Sequence, residues 1–180
     1  MKAFVAIVSL IVLVGCKKHT DTTFNIVEEV APLRIETFSN TEVPVYNFDG
    51  FEKLLSVSDD KTYIINFWAT WCKPCVEELP HFETIAKQYK SKDVEVILVS
   101  LDFPNKVESA LIPFIEKHNL ESTVVLLDDP KQNTWIPKVD ESWSGAIPAT
   151  VIISKNKRSF YEKSFTFIEL EKELKAFITN

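Results

Sequence analysis

The residues in this chain best placed to do chemistry are two cysteines with two residues between them, Cys72-Lys73-Pro74-Cys75. Such a pair serves either as a redox couple or as half of a four-ligand zinc site. The zinc reading lacks ligands. No second Cys-x-x-Cys exists, the third cysteine is Cys16 near the start, and His19, His81 and His118 carry no paired spacing. No metal site is expected, and dithiol chemistry remains. A redox pair needs one sulfur that ionises easily and meets the substrate, and a second that resolves the mixed disulfide.

The flanking elements assign those roles. Thr62–Trp68 is an apolar strand pattern that delivers Ala69-Thr70-Trp71 and then Cys72. Residues 75–90 carry Val76, Leu79, Phe82, Ile85, Ala86 and Tyr89 at helical spacing, with a kink expected at Pro80. Cys72 therefore falls at a helix N-terminus, where unpaired backbone N–H groups and the positive dipole end favour a thiolate. It is the expected attacking sulfur. Cys75, one turn further in, is the expected resolving one. Pro74 suits the first helical turn, and Lys73 adds a positive charge that favours ionisation of its neighbour.

Around this unit the chain reads as alternating strands and helices. Leu33–Phe38 and Val43–Phe48 form leading strands about a turn at Ser39-Asn40, and Phe51–Val57 a short helix. Val94–Leu101 is a buried β run, residues Lys106–His118 a helix, Thr123–Leu127 a strand, and Asp128–Gly145 a polar loop. Ala149–Ser154 and Ser159–Phe165 pair about Lys155-Asn156-Lys157, and Phe167–Ile178 closes as an amphipathic helix. The alternation implies an α/β domain with right-handed crossovers.

At 180 residues and 46% hydrophobic content the chain supports one core. The formal net charge of −6, with no basic stripe, argues against nucleic acid as a partner. Three glycines, Gly15, Gly50 and Gly145, cannot build a dinucleotide or phosphate loop, so no bound nicotinamide, flavin or ATP is expected and the thiols act without a cofactor. Residues 1–15 open with Lys2 and an apolar run too short to span a bilayer, which reads as a signal peptide. Leu13-Val14-Gly15-Cys16 resembles the lipobox of bacterial lipoproteins, with Cys16 as the lipidated residue, 16–30 as a tether and 31–180 as the folded domain.

A second motif, Gly145-Ala146-Ile147-Pro148-Ala149-Thr150, places Pro148 immediately before an apolar strand. Together with Phe67-Trp68-Ala69-Thr70-Trp71-Cys72-Lys73-Pro74-Cys75-Val76-Glu77-Glu78-Leu79-Pro80, it resembles membrane-anchored thioredoxin-like proteins of the TlpA/ResA type across residues 31–180. The resemblance implies a thioredoxin-like fold, a central mixed β-sheet flanked by helices with an N-terminal strand extension. It also implies a redox-active Cys72–Cys75 disulfide and a cis Pro148 beside it, with the Ile147 backbone and Trp71 in the substrate surface. Thioredoxin's buried Asp, six residues before the first Cys, is replaced here by Asn66. The TlpA/ResA pattern instead has Glu three residues after the second Cys, and Glu78 stands there, either managing the proton on Cys75 or lying in solvent as a first-turns carboxylate. Trp68 reads as core; Trp135 and Trp143 either line the groove or fill core, with Trp143 favoured for the groove.

The family's implied role is reduction of disulfides in envelope proteins such as apocytochrome c, in the periplasm or elsewhere outside the cytoplasm. Electrons would come from a membrane thiol-disulfide donor. Two alternatives stand beside it: an oxidase or isomerase using the same sulfurs, and a non-enzymatic module binding copper or protein.

Overall fold

Every residue of Thr62–Trp68 (β3) is buried, which requires protein on both sides of the strand. The computed structural model describes residues 30–56 and 59–178 and supplies both layers. The leader, Cys16 and nearly all of the tether lie outside the described residues. A seven-stranded sheet runs in the order β1-β2-β5-β4-β3-β6-β7, built from Arg34–Phe38 (β1), Thr41–Tyr46 (β2), β3, Val94–Ser100 (β4), Thr123–Leu127 (β5), Ala149–Ser154 (β6) and Lys157–Tyr161 (β7). Pairings β3–β4, β4–β5 and β2–β5 are parallel, whereas β1–β2, β3–β6 and β6–β7 are antiparallel. This is the mixed sheet, with an N-terminal strand extension, that the family resemblance implied.

Successive side chains of a strand point to opposite faces, and here each set meets a different helical layer. Ile64 and Trp68 of β3, Val96 and Leu98 of β4 and Ile152 of β6 pack with Leu79, Phe82 and Ile85 of α2 (Lys73–Tyr89) and with Leu170 and Leu174 of α5 (Phe167–Ile178). Tyr63, Ile65 and Phe67, with Ile97, Val99, Val151 and Ile153, pack instead on Phe48 and Phe51 of α1 (Phe48–Phe51) and on Trp135 and Val139 of α4 (Gln132–Val139). Asn66 belongs to the first set by alternation, so it faces α2. The remaining helix, α3 (Ile112–His118), adds Ile112 and Ile115 to that same layer.

Several boundaries differ from expectation. The second strand stops at Tyr46, because the Asn47 side chain accepts from Gly50 N–H and starts α1 there rather than at Phe51. The expected loop 128–145 contains α4. Its Gln-Asn-Thr start and internal Pro137 are poor helix material, but Trp135 and Val139, four apart, are both buried, and the Trp135 ring stacks 5.7 Å from Phe48. The expected helix 106–118 is three pieces: a 3-10 turn at Pro104–Lys106, a π turn at Val107–Leu111, and α3. Pro113 lacks the N–H that a continuous α-helix would direct to the Ser109 carbonyl. In the hairpin, Ser154 pairs with Lys157, so the turn is only Lys155-Asn156 and β7 ends at Tyr161. Pro80, on the exposed side of α2, does not interrupt that helix.

Candidate active site

The site begins where β3 ends. Trp68 O accepts from Leu101 N–H at 2.8 Å, the last link holding β3 to the chain beyond β4, and the Cys72 N–H then donates to Ala69 O at 3.1 Å, turning the chain into α2. Cys72 is the N-cap of α2, with Pro74 in the first turn. Cys72 and Cys75 are joined, with an S–S distance of 2.01 Å. The Cys75 backbone N–H donates to Cys72 Sγ at 3.3 Å, one of the helix's unpaired donors directed at the sulfur expected to attack. Cys72 keeps 6% exposure while Cys75 has none, the difference those roles require.

Lys73 contributes less than its charge suggests. It is almost wholly exposed and pairs with Glu77 at 3.7 Å, so solvent and a carboxylate both offset its pull on the Cys72 sulfur.

The second motif closes on the first. The Ile147–Pro148 bond is cis, and the Ile147 carbonyl oxygen lies 3.7 Å from Cys72 Sγ across 75 residues of sequence. In the disulfide this is a contact, since the sulfur has no proton. Reduced Cys72 has a hydrogen-bond acceptor there. Trp71 is 59% exposed beside the pair, which leaves its indole free to meet a substrate. Trp143, by contrast, is core rather than groove. Its ring lies 4.8 Å from Phe67, and its Nε1–H donates to Ala146 O at 2.8 Å, bracing the approach to Pro148 from beneath. Trp135 and Trp68 are core as well.

Glu78 is not a solvated carboxylate. It is 2% exposed, on the inward face of α2 one turn beyond Cys75. Its Oε1 accepts from Asn66 Nδ2 at 2.9 Å and its Oε2 from the Phe165 backbone N–H at 2.7 Å. Burial raises its pKa from 4.5 to about 7, against the opposing pull of those two bonds. Asn66 also donates to Thr150 Oγ1 at 3.1 Å, its cross-strand partner on β6, while its own Oδ1 has no partner. Sequence reasoning missed Thr150 and the Phe165 amide. Thr150 stands in the motif around Pro148, but nothing local marks a backbone N–H as a ligand. Among the described residues no group of three or more His, Cys, Asp or Glu could hold a metal ion.

A disulfide at a helix N-terminus, faced by the carbonyl before a cis-proline and carried on a mixed sheet between two helical layers, defines a thioredoxin-like protein. The chain belongs to the AhpC/TSA family, whose model matches residues 36–158. It is similar to the thiol-disulfide oxidoreductase ResA of Oceanobacillus iheyensis, 41% identical over 66 residues, which are 37% of this chain and 33% of that protein. The thioredoxin-like protein YneN of Bacillus subtilis is 27% identical over 129 residues, 70% of this chain and 72% of its own. The crystal structure of a putative thiol:disulfide interchange protein DsbE from Chlorobium tepidum superimposes with a TM-score of 0.55 at 25% identity, covering 69% of this chain and 84% of that one. The match thus spans a third of that ResA's length, and 46% of the ResA of Bacillus cereus.

Proposed function

We propose that this protein is a thiol-disulfide oxidoreductase of the cell envelope, working as a reductant of disulfides in exported proteins. The observation that carries this reading is the Cys72 sulfur, which sits at the α2 N-terminus with the Cys75 N–H on one side and the Ile147 carbonyl on the other. In the reduced protein the Cys72 thiolate attacks one sulfur of a substrate disulfide. The substrate S–S bond breaks, a mixed disulfide forms, and the departing substrate sulfur takes up a proton. Cys75 then loses its proton and attacks Cys72, releasing the second substrate thiol and leaving the Cys72–Cys75 disulfide. Two electrons have passed to the substrate, and a dithiol donor at the membrane restores the pair.

Glu78 supports the second step. A buried carboxylate one turn from Cys75, with its pKa raised to about 7, is poised to accept the Cys75 proton near neutral pH. Trp71 and the backbone at Ile147 offer the surface on which an extended segment around the substrate cysteine would lie. The resemblance of the sequence to the TlpA/ResA type is what suggests envelope disulfides, apocytochrome c among them, as the substrate class. Cys16 would carry the lipid that holds the domain at the membrane, with Lys17 and Lys18 at the start of the tether.

The test is the equilibrium reduction potential of the pair, with capture of the mixed disulfide by Cys75→Ser. A potential near thioredoxin's, about −270 mV, together with captured disulfide-bonded polypeptide, is expected of a reductant. A potential near about −120 mV would make the protein an oxidant and reverse the proposed direction. Undiminished turnover in Cys72→Ser would remove the exchange reading altogether.

A further inference from the structure

Asp102 is a buried carboxylate, 3% exposed, just past the end of β4, and all its hydrogen-bond partners are neutral. Its Oδ2 accepts from the Thr70 backbone N–H at 3.0 Å and from Ser100 Oγ at 2.8 Å, and its Oδ1 accepts from Thr70 Oγ1 at 2.6 Å. Its own N–H donates to Ser100 Oγ at 3.0 Å. Enclosing a carboxylate without a cation is unfavourable unless such bonds offset the loss of water. The Thr70 N–H also reaches Oδ1 at 3.3 Å, so three of the four bonds the carboxylate accepts come from a single residue, Thr70, in the middle of the loop that delivers Cys72.

That loop, Ala69-Thr70-Trp71, contains neither glycine nor proline, so its own residues impose no particular turn. Its base is fixed by the Leu101 N–H to Trp68 O bond, and its exit by the Cys72 N–H to Ala69 O bond. Asp102 supplies the hold in between. With its Thr70 neighbour pinned inward, Trp71 projects into solvent and Cys72 enters the helix with its sulfur at the Cys75 N–H.

We infer that Asp102 is a positioning residue for the exchange reaction, acting through Thr70 to keep the Cys72 sulfur at the N-terminus of α2 once the disulfide is open. In the oxidised protein the S–S bond itself fixes Cys72 against Cys75. Reduction removes that link, and the Asp102–Thr70 bonds, which involve no sulfur, then hold the attacking atom where the helix donors stabilise its thiolate. The inference rests on exchange chemistry at the pair.

The experiment is the pH dependence of iodoacetamide alkylation at Cys72 in the reduced full chain, with wild type compared with Thr70→Val, Thr70→Ser, Asp102→Asn and the Thr70→Val/Asp102→Asn double variant. Thr70→Val leaves the charge unchanged and removes the 2.6 Å bond. It is expected to slow alkylation at pH 7 about two- to tenfold, the factor one hydrogen bond is worth, and to move the profile to higher pH. Thr70→Ser is expected to restore both, and the double variant to be no slower than its slower single parent, because the two residues act as one unit. A wild-type profile in Thr70→Val, even with a lowered melting temperature, would reduce the contact to a brace for the fold and overturn the inference. Should the variants not fold, amide exchange at Thr70 in the reduced wild type decides: strong protection supports the clamp, and exchange at the unprotected rate overturns it. Alkylation needs no disulfide substrate, so an inactive wild type would defeat the exchange reading while leaving these rates to be judged separately.

Discussion

Glu78 is a residue whose type was legible and whose state was not. Folded Glu78 holds its proton up to about pH 7, whereas the unfolded chain's Glu releases it near 4.5, so between those values the native state binds more protons. Stability must then fall as pH rises through that window. The difference corresponds to roughly 3 kcal/mol of disfavoured ionisation. In Glu78→Gln this slope should vanish, so that between pH 4.5 and pH 8 the oxidised variant gains on wild type by up to that amount, whatever one lost acceptor costs it at both. Urea midpoints at the two pH values check it; parallel profiles would mean Glu78 is not protonated at neutral pH. Glu78→Ala should destabilise near pH 4.5, because the Phe165 N–H and Asn66 Nδ2 each lose an acceptor at about 1–3 kcal/mol apiece, and less at pH 8, where it also removes the buried charge. In functional terms, Glu78→Gln should also slow release of the mixed disulfide more than its formation.

At the scale of elements, β3 and α2 carry their own instructions. An unbroken apolar strand, a proline in the first helical turn and apolar residues three and four apart are local features, and both elements are found where the pattern puts them. α4 is the opposite case. Its residues favour no helix, and it exists because Trp135 fills the second core layer against Phe48 and Trp143 while its Nε1–H bonds Asp129 O. Trp135→Ala should therefore cost about 3–5 kcal/mol, at the upper end of large-to-small core changes, and lower far-UV helical signal along with the melting temperature. A loss under about 1 kcal/mol would mean that α4 is held by something other than this ring.

For the molecule as a whole, the β3–β6 pairing matters most to function, since it joins the strand that delivers the cysteines to the strand that follows Pro148. Among the described residues no helix is long and apolar enough to cross a membrane. Attachment, in the proposed reading, depends on Cys16 alone, and a body with a formal charge of −6 gains little from anionic lipid. Cys16→Ala is thus expected to move the protein from the membrane to the soluble fraction without changing the exchange rate of the purified chain. Retention of Cys16→Ala on membranes would assign attachment to another part of the protein.

What the sequence determined by itself is local: the Cys72–Cys75 pair, its place between an apolar strand and an amphipathic helix, and the α/β alternation, all carried by neighbours a few residues apart. Resemblance extended this to Pro148 and Glu78. Only the tertiary structure decided the surroundings of those residues. Asn66 and the Phe165 amide reach Glu78 from two other segments, Thr150 meets Asn66 from a third, the Ile147 carbonyl comes to Cys72 across 75 positions, and Asp102 reaches Thr70 across 32. The reason is physical. Periodicity and capping act within a turn or two of chain, whereas burial, and with it the protonation of a carboxylate or the pinning of a loop, is set by whatever the sheet order brings alongside.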